Sequence, residues 1–226
     1  MLRLGAGAIL RRLMGYSVIG PDEILVGKPF TDPEFTRREA EIMRTMLTRE
    51  REHAKAWRGD HGRRAGGQIL RDHDGKERRH LLVVPDTRAL VEACGLTAIG
   101  FFGRPRDDVD HAVLFELEDE LVARMGDYAA LGLLSYYDIE FVKGSYGNLV
   151  LFSTPDVPKE WSADAVHRRA VEVSPGHYYE VRLHRGSITG RLLDGGDLSI
   201  VSTKYLDFKS PTTWHGLRTG TTTPRA

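Results

Sequence analysis

Leu133-Leu134-Ser135-Tyr136-Tyr137-Asp138-Ile139-Glu140-Phe141 and Leu149-Val150-Leu151-Phe152-Ser153-Thr154 are the two runs whose reading decides the fold. The first alternates: Tyr136, Asp138 and Glu140 fall on one side, Tyr137, Ile139 and Phe141 on the other, which is the period-two signature of a strand. The second is apolar on both sides. Lys143-Gly144 and Gly147-Asn148 lie around the junction and supply turn chemistry. Upstream, Ala98–Gly103 is another run that is apolar on both sides; downstream, His177–Arg185 alternates again. Asp107–Met125 brings Val109, Ala112, Val113, Leu117, Leu121 and Val122 to one helical face, and Ser162–Val173 reads as a second helix. The resulting order is βαββαβ, the split-βαβ or ferredoxin-like plan.

In that plan the first and third strands are central and the other two lie at the edges, which matches the apolarity of 98–103 and 149–154. The unit's own helices cover one sheet face only. Central strands apolar on both faces therefore require a second cover, either another copy of the sheet or the N-terminal half of the chain. On element order and alternation over residues 97–186, the chain resembles the dimeric α+β barrel superfamily, in which two ferredoxin-like sheets close around a ligand cavity. The fold class expected is α+β: a ferredoxin-like unit at 97–186 forming a barrel-like cavity with the N-terminal half or a second subunit, plus a C-terminal β-hairpin. That hairpin is read as Thr189–Leu193 and Leu198–Tyr205 around Asp194-Gly195-Gly196-Asp197.

The chain divides on this reading into a helical N-terminal segment at 1–95, a ferredoxin-like domain at 96–210 and a flexible tail at 211–226. Residues 1–20 read as an ordinary N-terminal helix rather than a targeting segment, and 22–27 as a strand. Thr31-Asp32-Pro33-Glu34 starts a helix running to Trp57. Gln68 to Val84 reads as a hairpin turning at Asp74-Gly75, and Asp86 to Cys94 as a short helix. The first half could thus be a degenerate earlier repeat.

The 226 residues carry 32 basic and 32 acidic side chains. That balance argues against binding nucleic acid through its phosphates, and no apolar run is long enough for a membrane helix. Cys94 stands alone, so no disulfide framework exists and a reducing, cytoplasmic setting is expected, with Cys94 as a small buried residue at a helix end. The expected partners are a small-molecule substrate and a second copy of the chain in a homodimer.

The reactive residue types concentrate in Tyr178-Tyr179-Glu180-Val181-Arg182-Leu183-His184. Read with period two, Tyr178, Glu180, Arg182 and His184 share one face and so enter one cavity. His184 or Glu180 could move a proton, Tyr178 could donate to an oxyanion, and Arg182 could grip a carboxylate, phosphate or haem propionate. The plainer account is a Glu180–Arg182 surface pair on an edge strand. His167 lies beside the stripe of Val166, Ala170 and Val173. The haem-binding branches of the superfamily take their axial histidine from this kind of helix, so the resemblance implies a haem cofactor with His167 as iron ligand and Arg182 at its propionates. The plainer account of His167 is a boundary histidine. The function expected is a haem-dependent oxidoreductase or lyase. The alternatives are a cofactor-free oxygenase, cyclase or dehydratase using His184 and Glu180 as acid and base, and a non-catalytic ligand-binding module. Hydrolase elbow, zincin and dinucleotide motifs are missing from the sequence.

Overall fold

Residues 40, 43, 46, 47, 54 and 57 recur at the spacing of one helical face, and they build helix α1, Pro33–Gly59. The Asp32 carboxylate accepts the Glu34 amide at 2.8 Å at its start, and Pro33 fills a position whose amide would have no helical partner. The computed structural model describes residues 12–13, 15–59, 67–73, 79–141 and 145–220. The other elements are β1 (Arg12–Leu13), β2 (Tyr16–Ile19), β3 (Gln68–His73), β4 (Arg79–Val84), α2 (Thr87–Glu92), β5 (Cys94–Pro105), α3 (Ala112–Ala123), α4 (Met125–Leu131), β6 (Leu133–Glu140), β7 (Tyr146–Phe152), α5 (Val157–Ser162), α6 (Ala165–His177), β8 (Tyr178–Arg191), β9 (Leu198–Asp207) and β10 (Trp214–Thr219).

The described strands all join one sheet in the order β1-β2-β10-β9-β8-β5-β7-β6-β4-β3. Neighbours run antiparallel except β10 and β2, which are parallel. Within it β8-β5-β7-β6 places β5 and β7 at the centre, as the two-sided apolarity of their residues requires. The sheet is open, with β1 and β3 at its ends, so the expected barrel does not form within the chain. Nor are β6 and β8 edge strands: β4 adds outside the first and β9 outside the second.

Both faces of the centre are covered. Helices α3 to α6 lie over one, packing Leu117, Leu121, Met125, Trp161 and Val166 on Val150, Phe152 and Tyr136. The other is covered by α1, whose Met43, Met46 and Leu47 meet Ala98, Phe102, Leu149 and Leu151. The second cover is therefore one long helix from the N-terminal half, one of the two covers the sequence allowed, the other being a second copy of the sheet. Gly100 makes the contact close: a side chain there would begin 2.6 Å from the Met43 sulfur. Each large side chain buried in these layers contributes roughly 1.5–3 kcal/mol.

Several segments depart from the sequence reading. The 22–27 segment is a loop with an isolated Leu25–Lys28 bridge, and residues 16–19 form β2 rather than a helix. Residues 1–11 and the Asp74-Gly75 turn lie outside the described residues. Trp214–Thr219, assigned to a flexible tail, is strand β10, held between β9 and β2. The first arm of the C-terminal hairpin is the continuation of β8 itself, and Cys94 is exposed at the start of β5. Among the described residues, no helix is long and apolar enough to cross a membrane.

Candidate functional site

The polar ladder on β8 is split by a bulge. Arg104 pairs with Glu180 and the next residue, Pro105, with Tyr178, so Tyr179 is an extra residue on β8. Its ring is clasped by the guanidinium groups of Arg104 and Arg106, at 4.6 and 4.8 Å. The bulge reverses the facing of the strand. Tyr178 goes to the side of helices α3 and α6, edge-on to Phe101 at 5.4 Å, while Glu180, Arg182 and His184 stay on the α1 side. The four residues assigned to one cavity thus stand on two faces.

Arg182 and His184 meet Glu39 of α1, a residue that sequence reasoning passed over. Arg182 donates from Nε to both Glu39 oxygens at 2.8 and 2.9 Å, and from Nη2 to Oε1 at 2.6 Å. Glu39 Oε2 lies 2.7 Å from His184 Nε2, and Thr203 Oγ1 lies 2.9 Å from Nδ1. The Phe35 ring caps the guanidinium at 4.8 Å. A hydroxyl, an imidazole and a carboxylate in series have the form of a nucleophile relay. Here, however, the side chains of Arg182, Glu39 and His184 are 8, 7 and 0% exposed. With α1 packed over them, this network fastens the helix to the sheet. Glu180 is engaged nearby by Lys209 at 2.5 Å and Arg104 at 3.2 Å. The proposed acid–base pair is therefore committed on the covered face, Glu180 to Lys209 and Arg104 and His184 to hydrogen bonds with Glu39 and Thr203.

The opposite face carries a mainly apolar cavity of about 800 Å³. Its floor is built from rows that cross the sheet by strand register. One row reads Asp138, Asn148, Phe101, Leu183, Lys204 and Leu217, each opposite the next on neighbouring strands. A second reads Tyr136, Val150, Ile99, Arg185, Ser202 and Thr219. Helices α3, α5 and α6 roof the β6–β7–β5 end through Leu117, Glu118, Trp161, His167 and Ala170. Towards β9 and β10 the roof stops, and Arg185, Lys204 and Thr219 are exposed. Gly103 leaves room for Tyr178 at the covered end, since a side chain there would begin 2.5 Å from the ring.

The covered end holds the chemistry. Asp138 is 4% exposed, and burial first, then the neighbouring Glu118 carboxylate, push its pKa well above the ordinary value. Its Oδ2 has no hydrogen-bond partner and lies 3.8 Å from Arg79 Nη2. Arg79 sits closer to Glu118, at 3.3 Å, and to Glu140, at 3.0 Å. Burial also raises Glu118, against the lowering effect of Arg79. One guanidinium faces three carboxyls, which leaves the group short of positive charge and favours a neutral Asp138. Asp138, the most buried and furthest from Arg79, is where a proton belongs. Tyr136 donates to Glu118 Oε1 over a long 3.4 Å. Burial raises the hydroxyls of Tyr136, Tyr146 and Tyr178, keeping them neutral.

The signal for these residues was present in the alternation Tyr136, Asp138, Glu140, but on an edge strand it reads as a solvated side. Burial comes from β4, whose pairing makes β6 an interior strand, and from α3 packed over that face.

His167 does line the cavity, packed on Trp161 at 4.8 Å between ring centres. Its Nδ1 is buried without a partner. Burial lowers its pKa. A haem ligand must present a nitrogen lone pair to the iron, and the Nδ1 of this ring is buried from solvent. Arg182, the propionate partner, is on the other side of the sheet. The residues as placed do not suit haem. Among the described residues, no group of three or more His, Cys, Asp or Glu side chains is arranged to hold a metal ion. No protein-family model matches the chain, and no curated protein matches it.

Proposed function

We propose that this protein is a cofactor-independent enzyme that binds a small, largely apolar molecule in the cavity and moves a proton on it with Asp138 and Glu118. The observation that carries this reading is Asp138, a carboxyl buried at the covered end of an apolar cavity with Oδ2 unpartnered. An acid so placed keeps its proton at neutral pH and gives it to a ligand oxygen such as a ketone carbonyl. Glu118, paired with Arg79, takes a proton from the carbon next to that carbonyl. One proton enters the ligand and one leaves, so an enol forms with no change in oxidation state. Tyr178 and Asn148 fix the ligand's polar end, and the apolar floor excludes water. The β8-β5-β7-β6 order with its two helical crossovers supports a ferredoxin-like reading of residues 94–191, with α1 serving as the second cover.

Solvent deuterium exchange into 1-tetralone, a compact ketone with acidic protons beside its carbonyl, tests the reading by mass spectrometry. The wild type should label the ketone above the buffer rate. Asp138→Asn and Glu118→Gln should each lose that excess by on the order of a hundredfold. Labelling unaffected by either substitution would refute the assignment.

A further inference from the structure

We infer that the ligand of this cavity is an amphipathic carboxylate, bound with its anionic head at Arg185 and Lys204 and its apolar body running under α3 and α6. The inference rests on the cavity reading and extends it to the chemical class of the ligand. The cavity is electrically polarised along its length. Its acids, Glu118 and Asp138, stand at the covered end on α3 and β6, and Arg185 and Lys204 stand at the open end on β8 and β9. Between them the floor is Phe101, Leu183, Ile99 and Val150, with Asn148 as the polar step beside Asp138.

The two cations stand on neighbouring strands of one sheet face. Arg185 pairs with Ser202, and Lys204 is two residues further along β9 on the same face. Their Cβ atoms are therefore diagonal neighbours, about 7–8 Å apart, within reach of one carboxylate for two long side chains. Neither forms a salt bridge with an acid among the described residues, and Arg185 lies near enough to Asp156 to help lower the pKa of that carboxyl. Arg185 gives one hydrogen bond to the Pro155 carbonyl at 2.8 Å, and Lys204 lies 5.3 Å from the Tyr16 ring. Most other basic side chains bordering the core are paired: Arg79 with Glu118 and Glu140, Arg182 with Glu39, Lys209 with Glu180. Strands β6 and β9 are four sheet spacings apart, roughly 19 Å. The lysine stem and the Asp138 side chain shorten that span, so a medium-length body fits between head and covered end.

Three chain-matched probes separate the inference from the reading beneath it. Decanoate, decan-1-ol and decylamine are titrated below their aggregation limits into the full chain, with Trp161 fluorescence and calorimetry as readouts. Decanoate should bind about tenfold or more tightly than decanol, the advantage expected of charge-assisted hydrogen bonds to the head. Combined Arg185→Gln and Lys204→Gln should bring decanoate down to the decanol level while leaving decanol unchanged. Both positions are exposed, so folding is preserved, as far-UV circular dichroism would verify. Equal wild-type affinity for decanoate and decanol, or tightest binding of decylamine, would overturn the carboxylate inference and leave the apolar cavity standing. Failure of all three probes to bind would overturn the cavity reading, and the inference with it.

Discussion

Glu50 offers a measurement that isolates one buried charge. It sits on the sheet-facing side of α1, fully buried, and neither carboxylate oxygen has a hydrogen-bond partner. Burial raises its pKa from 4.5 to about 7, offset in part by the Ser135 hydroxyl nearby and the charge of Arg51. The folded protein therefore holds a proton that the unfolded chain releases between pH 4.5 and about 7. Because the folded value is the higher one, stability is undiminished below pH 4.5, falls as pH rises through that window, and is fully reduced above pH 7. At about 1.4 kcal/mol per pH unit the loss amounts to about 3 kcal/mol. Glu50→Gln removes the titration while keeping the shape. Urea unfolding of wild type and variant at intervals from pH 4.5 to pH 8.5 should show Glu50→Gln gaining about 3 kcal/mol relative to wild type across the window. Glu52→Gln, exposed on the same helix, should run parallel to wild type throughout. Parallel curves for Glu50→Gln would refute the account, because they would mean the carboxylate is solvated in the fold.

The remaining predictions concern the two faces of β8. Glu39→Ala leaves Arg182 buried and uncompensated and should cost about 3–5 kcal/mol in chemical denaturation; Glu39→Met with Arg182→Met should recover much of that loss, and no recovery would mean that the charges themselves are required. Gly103→Ala forces a methyl group into the Tyr178 ring and should cost about 1–3 kcal/mol, together with a change in the near-UV tyrosine signal; an unchanged spectrum would place Tyr178 elsewhere.

Periodicity alone determined which segments are strands and helices through most of 94–191, because a core-facing side chain must recur every second or every three to four residues. It also showed that 98–103 and 149–154 are covered on both faces, since no soluble sheet leaves Phe152 and Val150 in water. The start of α1 was equally local: Asp32 and Pro33 do their work within one turn. What periodicity does not carry is the identity of the cover. An alternating strand looks the same whether its polar side faces solvent, a helix or a cavity.

Tertiary structure decided that for β6 and β8. Pairing of β4 and β9 outside them turned two expected edge strands into interior ones, so Asp138 became a buried acid rather than a surface one. Glu39, 143 residues before Arg182, supplied the charge that holds Arg182 and His184 beneath α1. A single extra residue, Tyr179, sent Tyr178 to the opposite face. Each of these rests on contact between residues far apart in the chain or on a one-residue slip in register. Neither leaves a local pattern, and so the candidate site belongs to the folded chain rather than to any one stretch of it.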